Sequence, residues 1–439
     1  MLAPTLLLLP LLCATTPARV ELVFGGDIIP HGEVKKAAAD HARTTRDERG
    51  QRLTLNHEGW DHVFGPIAQV LRPADVAMVN LETPVTGDPR NRTAPFIFDA
   101  PPAMLHALAA AGVDLVSVAN NHAYDQRREG VLLTRKSLEA AGLPGSGSGA
   151  SEAEAWEPVF LERKGMRLGF LSFTRWLNGG TNPSHPEGGP HVAFVPYPAR
   201  KGSYGPGLST EATAELVRAA ARRCDALFVS IHWGSEYTHA PHAEDRALAH
   251  ALLDAGALAI IGHHPHVLQP VEAWRTPDGR NTLVAFSLGN LIANQDRQYL
   301  FGTQPDTAGV KRDSMLLQLS LVRPSPEARV ELAAAAVHPV WIENNHYAVR
   351  RQHGVPRQIQ PVLIDTEVQA ISERLVALAA RVTDALPRKE ARALQEERTS
   401  LELRLEMSRR RREHILRITL PPEAAPGTAV LATPTGGEG

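Results

Sequence analysis

The sequence predicts an α/β protein, a buried sheet with helices outside it, and three observations carry that prediction. Near-continuous apolar runs of strand length recur along the chain. Amphipathic segments of helical period lie between several of them, the pattern of a sheet covered on its faces. Five of the runs end in a carboxylate, an amide or an imidazole, and open α/β sheets bind their ligands at the carboxyl ends of strands.

The elements follow in order. The leader MLAPTLLLLPLLCATTPA (1–18) holds an apolar core from Leu6 to Leu12. It is too short to span a bilayer and is followed by small and polar residues, which resembles a secretory signal lacking the usual Lys or Arg before its core. Export to the periplasm or cell envelope is the expectation. Cys13 leaves a lipid-anchored form open, although Leu12 is larger than the small residue lipoprotein signals place there. Without the leader only Cys224 remains, so no intrachain disulfide forms.

Strands are expected at VELVFGGD (20–27), DVAMVNLE (75–82), DLVSVANNH (114–122), RLGFLSFT (167–174), ALFVSIHWG (226–234), ALAIIGHHPH (257–266) and TLVAFSLGN (282–290). Helices are expected at PPAMLHALAAAG, EGVLLTRKSLEAAG, STEATAELVRAAARR and AEDRALAHALLDAGA. The runs SMLLQLSLV and VELAAAAVHPVWI follow each other without a helix and should pair antiparallel. GLPGSGSGASEAEAW (142–156) and LNGGTNPSHPEGGPHVAF (177–194) read as flexible loops, the second over the site.

Beyond a domain over 19–355, a helical segment is expected at 364–418. Ile371, Leu375, Leu378, Val382 and Leu386 recur at helical spacing, Pro387 interrupts, and a long charged helix resumes. It either packs on the domain or offers a hairpin to an envelope protein partner. Arg409–Arg412 reads as a solvated face. The Pro/Gly/Ala-rich tail, 419–439, reads as disordered. The 439 residues carry a formal net charge of −2 with no long basic patch, so nothing draws the chain to nucleic acid.

The polar residues at the strand ends define a chemistry. Asp27, Glu82, Asn120-Asn121-His122, His232 and His263-His264-Pro265-His266 supply carboxylate, amide and imidazole groups with no sulfur. Such a shell suits Mn, Zn or Fe. A bridging carboxylate holds two ions about 3.5–4 Å apart, the arrangement that clamps both oxygens of a phosphoryl displacement. The cofactor expected is therefore a divalent metal, one or two ions. His122, beside Asn121, is free to protonate a leaving group, with Asp125 three residues on either to orient it or to cap the following helix.

The series GGDIIP, VNLETP, ANNHAYDQ, SIHWGSEY, GHHPHVLQP and FSLGNLI resembles the CapA family of poly-γ-glutamate capsule synthesis proteins, related to calcineurin-like metallophosphoesterases. The match runs in order from about residue 20 to 295 and arguably to about 350. The resemblance implies a four-layered α/β/β/α sandwich of the metallophosphatase type, here with a C-terminal helical extension. It implies Asp27, Asn121, His232, His264 and His266 as metal ligands, with Glu82 as the nearest substitute for a bridging carboxylate, and His122 as general acid. Ile29 stands where phosphoesterases carry a second early histidine, and their second Gly-Asp motif is absent. CapA proteins share both departures, which weigh against a full binuclear site.

Around these, Asn120 reads as a backbone clamp and His263 as a neighbour of the ligands. Asn290 reaches toward the site from the end of its strand, and Glu236 is either a supporting group or a pocket acid. His31, four residues after Asp27, reads as a solvent-exposed loop residue rather than one lining the pocket, and Trp233 as core rather than a substrate platform. Two functions fit. One is an exported metal-dependent hydrolase acting on a phosphoester, an envelope polymer or its precursor. The other is a non-catalytic envelope component that binds an anionic polymer such as poly-γ-glutamate.

Overall fold

In the structure, a computed structural model, residues 17–420 are described except 48, 52, 89, 91–92, 199–204 and 382–386, together with 430–431. The leader through residue 16, Val382, Leu386 and most of the tail lie outside the described residues. Among the described residues no helix is long and apolar enough to cross a membrane.

Two sheets face each other. The larger runs in the order Ile359–Leu363, Glu331–Asn344, Asp313–Arg323, Ala18–Ile28, Val76–Leu81, Leu115–Ser117 and Gly145–Ser146. Its first three pairings are antiparallel and its last three parallel. The smaller runs Val271–Arg275, Asn281–Ala285, Ala259–His263, Ala226–His232, Met166–Thr174 and Val159–Arg163. It is parallel inside and antiparallel at both edges.

Alternation along each strand sorts residues into layers. Leu22, Phe24, Met78 and Leu115 meet Leu168, Phe170, Phe228 and Ile261 between the sheets, with the Phe24 and Phe228 rings 5.5 Å apart. On the outer face of the larger sheet, Val23, Val79 and Val116 pack against Trp60, Leu105 and Leu108. On the outer face of the smaller, Phe173, Val229 and Ile260 pack against Val217 and Leu252. The order is helix, sheet, sheet, helix: the four-layered sandwich expected. Each buried side chain of this size contributes about 1.5–3 kcal/mol, and burial on both strand faces is why the runs read as continuously apolar.

Four readings of the sequence are corrected. TLVAFSLGN is not one strand. Asn281–Ala285 lies in the smaller sheet, and after a turn Asn290–Ile292 pairs with Ala18–Ile28 in the larger. The crossing is tight: a Cβ on Gly26 would sit 2.0 Å from the Gly289 oxygen, and one on Gly262 1.9 Å from the Phe286 oxygen. The segment 142–156 is not a flexible loop but carries short strands, Gly145–Ser146 and Ser148–Gly149, and the helix Glu152–Ala155. Its small residues serve close packing, since a Cβ on Gly149 would meet the Ala155 nitrogen at 2.4 Å. Residues 177–194 are pinned as well: the Tyr124 hydroxyl donates to Asn182 Oδ1 (2.7 Å), and the Asn178 N–H donates to the Asn121 carbonyl (2.8 Å).

The fourth correction concerns the C-terminus. The larger sheet continues past residue 355 with Ile359–Leu363, and the helices Ile364–Arg381 and Arg388–Thr419 then pack on the domain. Met407, Ile415 and Leu416 join the core between the sheets beside Met315 and Trp341. Arg411 is 1% exposed rather than solvated. Helical period places it one turn from Met407 and Ile415 on the inward face, where the buried Asp313 receives it.

Candidate metal centre

Because the sheets are stacked, the carboxyl ends of their parallel strands open at the same end of the sandwich. Asp27 is the penultimate residue of Ala18–Ile28, and Glu82 follows Val76–Leu81 directly. Asn120, Asn121 and His122 lie in the turn after Leu115–Ser117. From the other sheet come His232 and His263, the last residues of their strands, and the turn bearing His264 and His266. All are buried. His264 and His266 have φ of 97° and 56°, a conformation costing a side-chain-bearing residue about 1–3 kcal/mol that persists only where the surroundings hold it.

Glu82 is the centre of the arrangement. Its side chain is fully buried, and neither carboxylate oxygen has a hydrogen-bond partner. Around Oε1 stand three imidazole nitrogens: His232 Nε2 at 3.7 Å, His266 Nε2 at 3.7 Å and His122 Nε2 at 4.0 Å. These separations are too long for hydrogen bonds. Asp27 is better supplied. Asn80 Nδ2 donates to its Oδ1 (2.8 Å), the His264 N–H donates to Oδ2 (3.3 Å), and His266 Nδ1 and His263 Nδ1 lie 3.1 and 3.2 Å away.

The electrostatics are lopsided. Burial, then the charges of Asp27, Glu236 and Asp125, push the Glu82 carboxyl well above its usual range. Burial acts upward on Asp27 too, but hydrogen bonds and charge from His263 and His266 outweigh it and hold that carboxyl well below. Burial first, then neighbouring imidazoles, keeps His232 well below its usual value and takes His264 to about 3. Among the described residues no lysine or arginine pairs with Asp27 or Glu82. Two buried carboxyl groups among imidazoles, with no lysine or arginine beside them, form a site for a cation.

The donors fall into two sets, Glu82–His264–His266 and Asp27–Glu82–His232, each with ligand atoms within 4.8 Å of one another. Glu82 belongs to both, and Asn121 Oδ1 lies 3.0 Å from His232 Nε2 beside the second set. The unpartnered Glu82 oxygens and the buried, unpartnered His264 Nδ1 fit a divalent ion of the Mn, Zn or Fe class. Each set supplies three protein donors.

His122 stands beside these sets. Its Nδ1 lies 2.8 Å from Asp125 Oδ2, which also accepts the Phe98 N–H (2.6 Å). The Phe98 ring packs 4.3 Å from the imidazole, centroid to centroid. Asn120 clamps backbone: its Nδ2 donates to the Leu81 carbonyl (2.8 Å) and its Oδ1 accepts the His122 N–H (3.1 Å). Asn290 sits behind the ligand turn, donating to the His266 carbonyl (3.2 Å). Glu236 is exposed, near enough for its charge to act on Glu82. Trp233 is core, its indole N–H donating to the Phe286 carbonyl.

Two residues of the site escaped the sequence reading. Asn80 donates to Asp27 and approaches His232 Nδ1 at 3.4 Å. Its signal was present, since Asn80 and Glu82 stand two apart and share a strand face. His31, read as solvent-exposed, is half-buried instead: it accepts the Asn294 N–H (3.2 Å), sets its ring edge-on to Phe98, and has its pKa lowered to about 4 by burial. The strand Asn290–Ile292, which returns to the larger sheet, brings Asn294 to it.

Residues 21–295, well over half of the chain, match the family described as bacterial capsule synthesis protein PGA_cap. The capsule biosynthesis protein CapA of Bacillus anthracis is 28% identical over 289 residues, covering 65% of this chain and 66% of that protein. The PGA biosynthesis protein CapA of Bacillus subtilis is 28% identical over 244 residues, covering 54% and 58%. The match therefore spans less than two thirds of either relative's length. A solved structure of a putative 5'-nucleotidase from Staphylococcus aureus, with alpha-ketoglutarate bound, superposes with a TM-score of 0.38 at 11% identity, over 88% of this chain and 58% of that one. The segment carrying every strand-end donor described above is the segment the family shares, and the chain belongs to the bacterial capsule synthesis protein PGA_cap family.

Proposed function

We propose that this chain is an exported, metal-dependent hydrolase of the cell envelope, acting on an anionic polymer such as poly-γ-glutamate or on a phosphoester-bearing precursor of one. The observation that carries the reading is Glu82: a fully buried carboxylate with no hydrogen-bond partner and three imidazole nitrogens at 3.7–4.0 Å. Asp27, Glu82, Asn121, His232, His264 and His266 would hold the ion or ions. A divalent ion supplies Lewis-acid polarisation of a bound ester or amide oxygen.

The chain's own residues do the rest. Asp125 accepts the Nδ1 proton of His122 and so fixes its tautomer and ring plane. In its doubly protonated form, with Nδ1–H held by Asp125, His122 would deliver the Nε2 proton to the leaving group and be left as the neutral Nδ1–H imidazole. Asn120 sets the turn that carries both Asn121 and His122. Segment 177–194 is tied to the same turn by the Asn178 N–H on the Asn121 carbonyl.

A second reading, polymer binding without turnover, is favoured by Ile29, which stands where phosphoesterases carry a second early histidine and packs here in the apolar cluster outside the larger sheet. Elemental analysis of the purified chain beside Asp27→Ala and His264→Ala tests the premise of both. Near-stoichiometric Mn, Zn or Fe, lost in each variant, is the expected result. Absence of metal after reconstitution overturns the hydrolase. Turnover of a phosphoester or polymer that disappears in His122→Ala separates hydrolysis from binding.

A further inference from the structure

Behind the metal ligands, within the core of the smaller sheet and its helices, lies a second buried polar group that the proposed mechanism does not use. Arg175 and Asp245 are almost fully buried and ion-paired, Arg175 Nη1 to Asp245 Oδ1 at 2.8 Å. The guanidinium lies over the Tyr197 ring, 3.7 Å from its centroid. The Tyr197 hydroxyl reaches the Asp245 carboxylate, 3.0 and 3.1 Å from its two oxygens, and accepts the Gly234 N–H at 2.6 Å. The Gly234 carbonyl in turn accepts the Trp176 indole N–H at 2.8 Å. Gly234, two residues after His232, is thus held at both its N–H and its carbonyl.

The grip extends to both ligand-bearing turns. The Arg175 N–H donates to the His232 carbonyl (2.8 Å), and the Trp233 N–H to the His263 carbonyl (3.0 Å). The Tyr237 N–H donates to the carbonyl of Pro265, between His264 and His266 (2.7 Å). The Trp176 ring packs 5.9 Å from His264, centroid to centroid. Gly234 has φ of 81°, open to glycine but strained for other residues. Main-chain hydrogen bonds thus hold the two turns together, and the Tyr197 hydroxyl ties Gly234 to the ion pair.

A buried ion pair is weak support for stability, because apolar side chains of similar volume commonly serve as well. Its effect falls instead on geometry, and outer partners of metal ligands govern how tightly an ion is held. We infer that Arg175, Asp245 and Tyr197 form a positioning clamp that sets His232, His264 and His266 for metal. The inference rests on the metal reading of the site above.

The test compares Tyr197→Phe, and the charge-free pair Arg175→Met with Asp245→Leu, against the wild type. Mn(II) affinity is measured by titration, the visible absorption of the Co(II)-loaded protein by spectroscopy, and the unfolding midpoint without metal by urea. The clamp predicts a 10–100-fold loss of Mn(II) affinity and altered Co(II) bands in both variants, with the metal-free midpoint little changed. Unaltered affinity and bands, in variants of a wild type that binds both ions, overturn the clamp and leave the metal reading standing. Affinity lost only in step with metal-free stability also overturns it, since the role is then structural. A wild type that binds neither ion overturns both.

Discussion

Two buried charge clusters in this molecule make opposite use of the same ingredients. Under the C-terminal helix, Asp313 faces Arg411 Nη1 at 3.1 Å and His414 Nδ1 at 2.9 Å, while Arg411 Nη2 donates to the Tyr299 hydroxyl (2.9 Å) and the Asp306 carbonyl (2.7 Å). At the strand ends, Glu82 is as deeply buried, yet no arginine or lysine among the described residues reaches it. The first cluster carries its own countercharge and closes a helix onto a sheet. The second keeps its carboxyl group among imidazoles with no arginine or lysine beside it, an arrangement suited to a positive charge supplied by something the chain does not encode.

The largest expected effect falls on the self-sufficient cluster. Arg411→Met leaves the buried Asp313 with His414 alone beside it, and removing one partner of such a pair costs about 3–5 kcal/mol. Urea denaturation should show that loss whether or not metal is present. Glu82→Gln should behave in the opposite way: little change or a gain in metal-free stability, with loss of bound metal. A Glu82→Gln protein as destabilised as Arg411→Met would make the two clusters alike and defeat the contrast.

The next effect is catalytic. His122→Ala should lower turnover by roughly 10²–10⁴-fold and leave the metal content unchanged, because His122 belongs to neither donor set. Metal lost together with activity would place His122 among the ligands instead.

Smaller again is the stabilisation the ion itself gives. A ligand at one hundred times its Kd stabilises the folded state by about 2.7 kcal/mol. Mn(II) added to the metal-free wild type should raise its unfolding midpoint accordingly, and His264→Ala should abolish the rise. An identical rise in the variant would mean that the ion acts elsewhere. Arg411→Met, by contrast, should keep it, because its cluster is closed without metal.

How much of this was legible in the sequence follows the same contrast. The strand-end donors announced themselves, because a strand buried on both faces leaves few polar positions, and Asp27, Glu82 and His232 stand out at its end. Asn80 was equally visible to period-2 reasoning and was passed over. The split of TLVAFSLGN between two sheets was not legible: an apolar run shows that a strand is buried, not which sheet receives it. Arg411 was hidden for a different reason. Four consecutive arginines look like a solvated face, and the partner that buries one of them, Asp313, lies 98 residues away. Segment 142–156 misled through its glycines, which here permit close packing rather than motion.

The smallest effect tests that last distinction inside a single run of four. Arg410 neighbours Arg411 but points to solvent, where it pairs with Glu406 one turn back at 2.7 Å, both side chains more than half exposed. An exposed pair at this spacing contributes about 0.3–0.5 kcal/mol, and salt screens it. Arg410→Ala should therefore shift the unfolding midpoint barely beyond error, and less still in high salt. Arg411→Met should keep most of its cost in high salt, because water and counterions do not reach it. Equal losses for the two arginines would mean that burial does not separate them, and the account of the closed cluster would fall with that result.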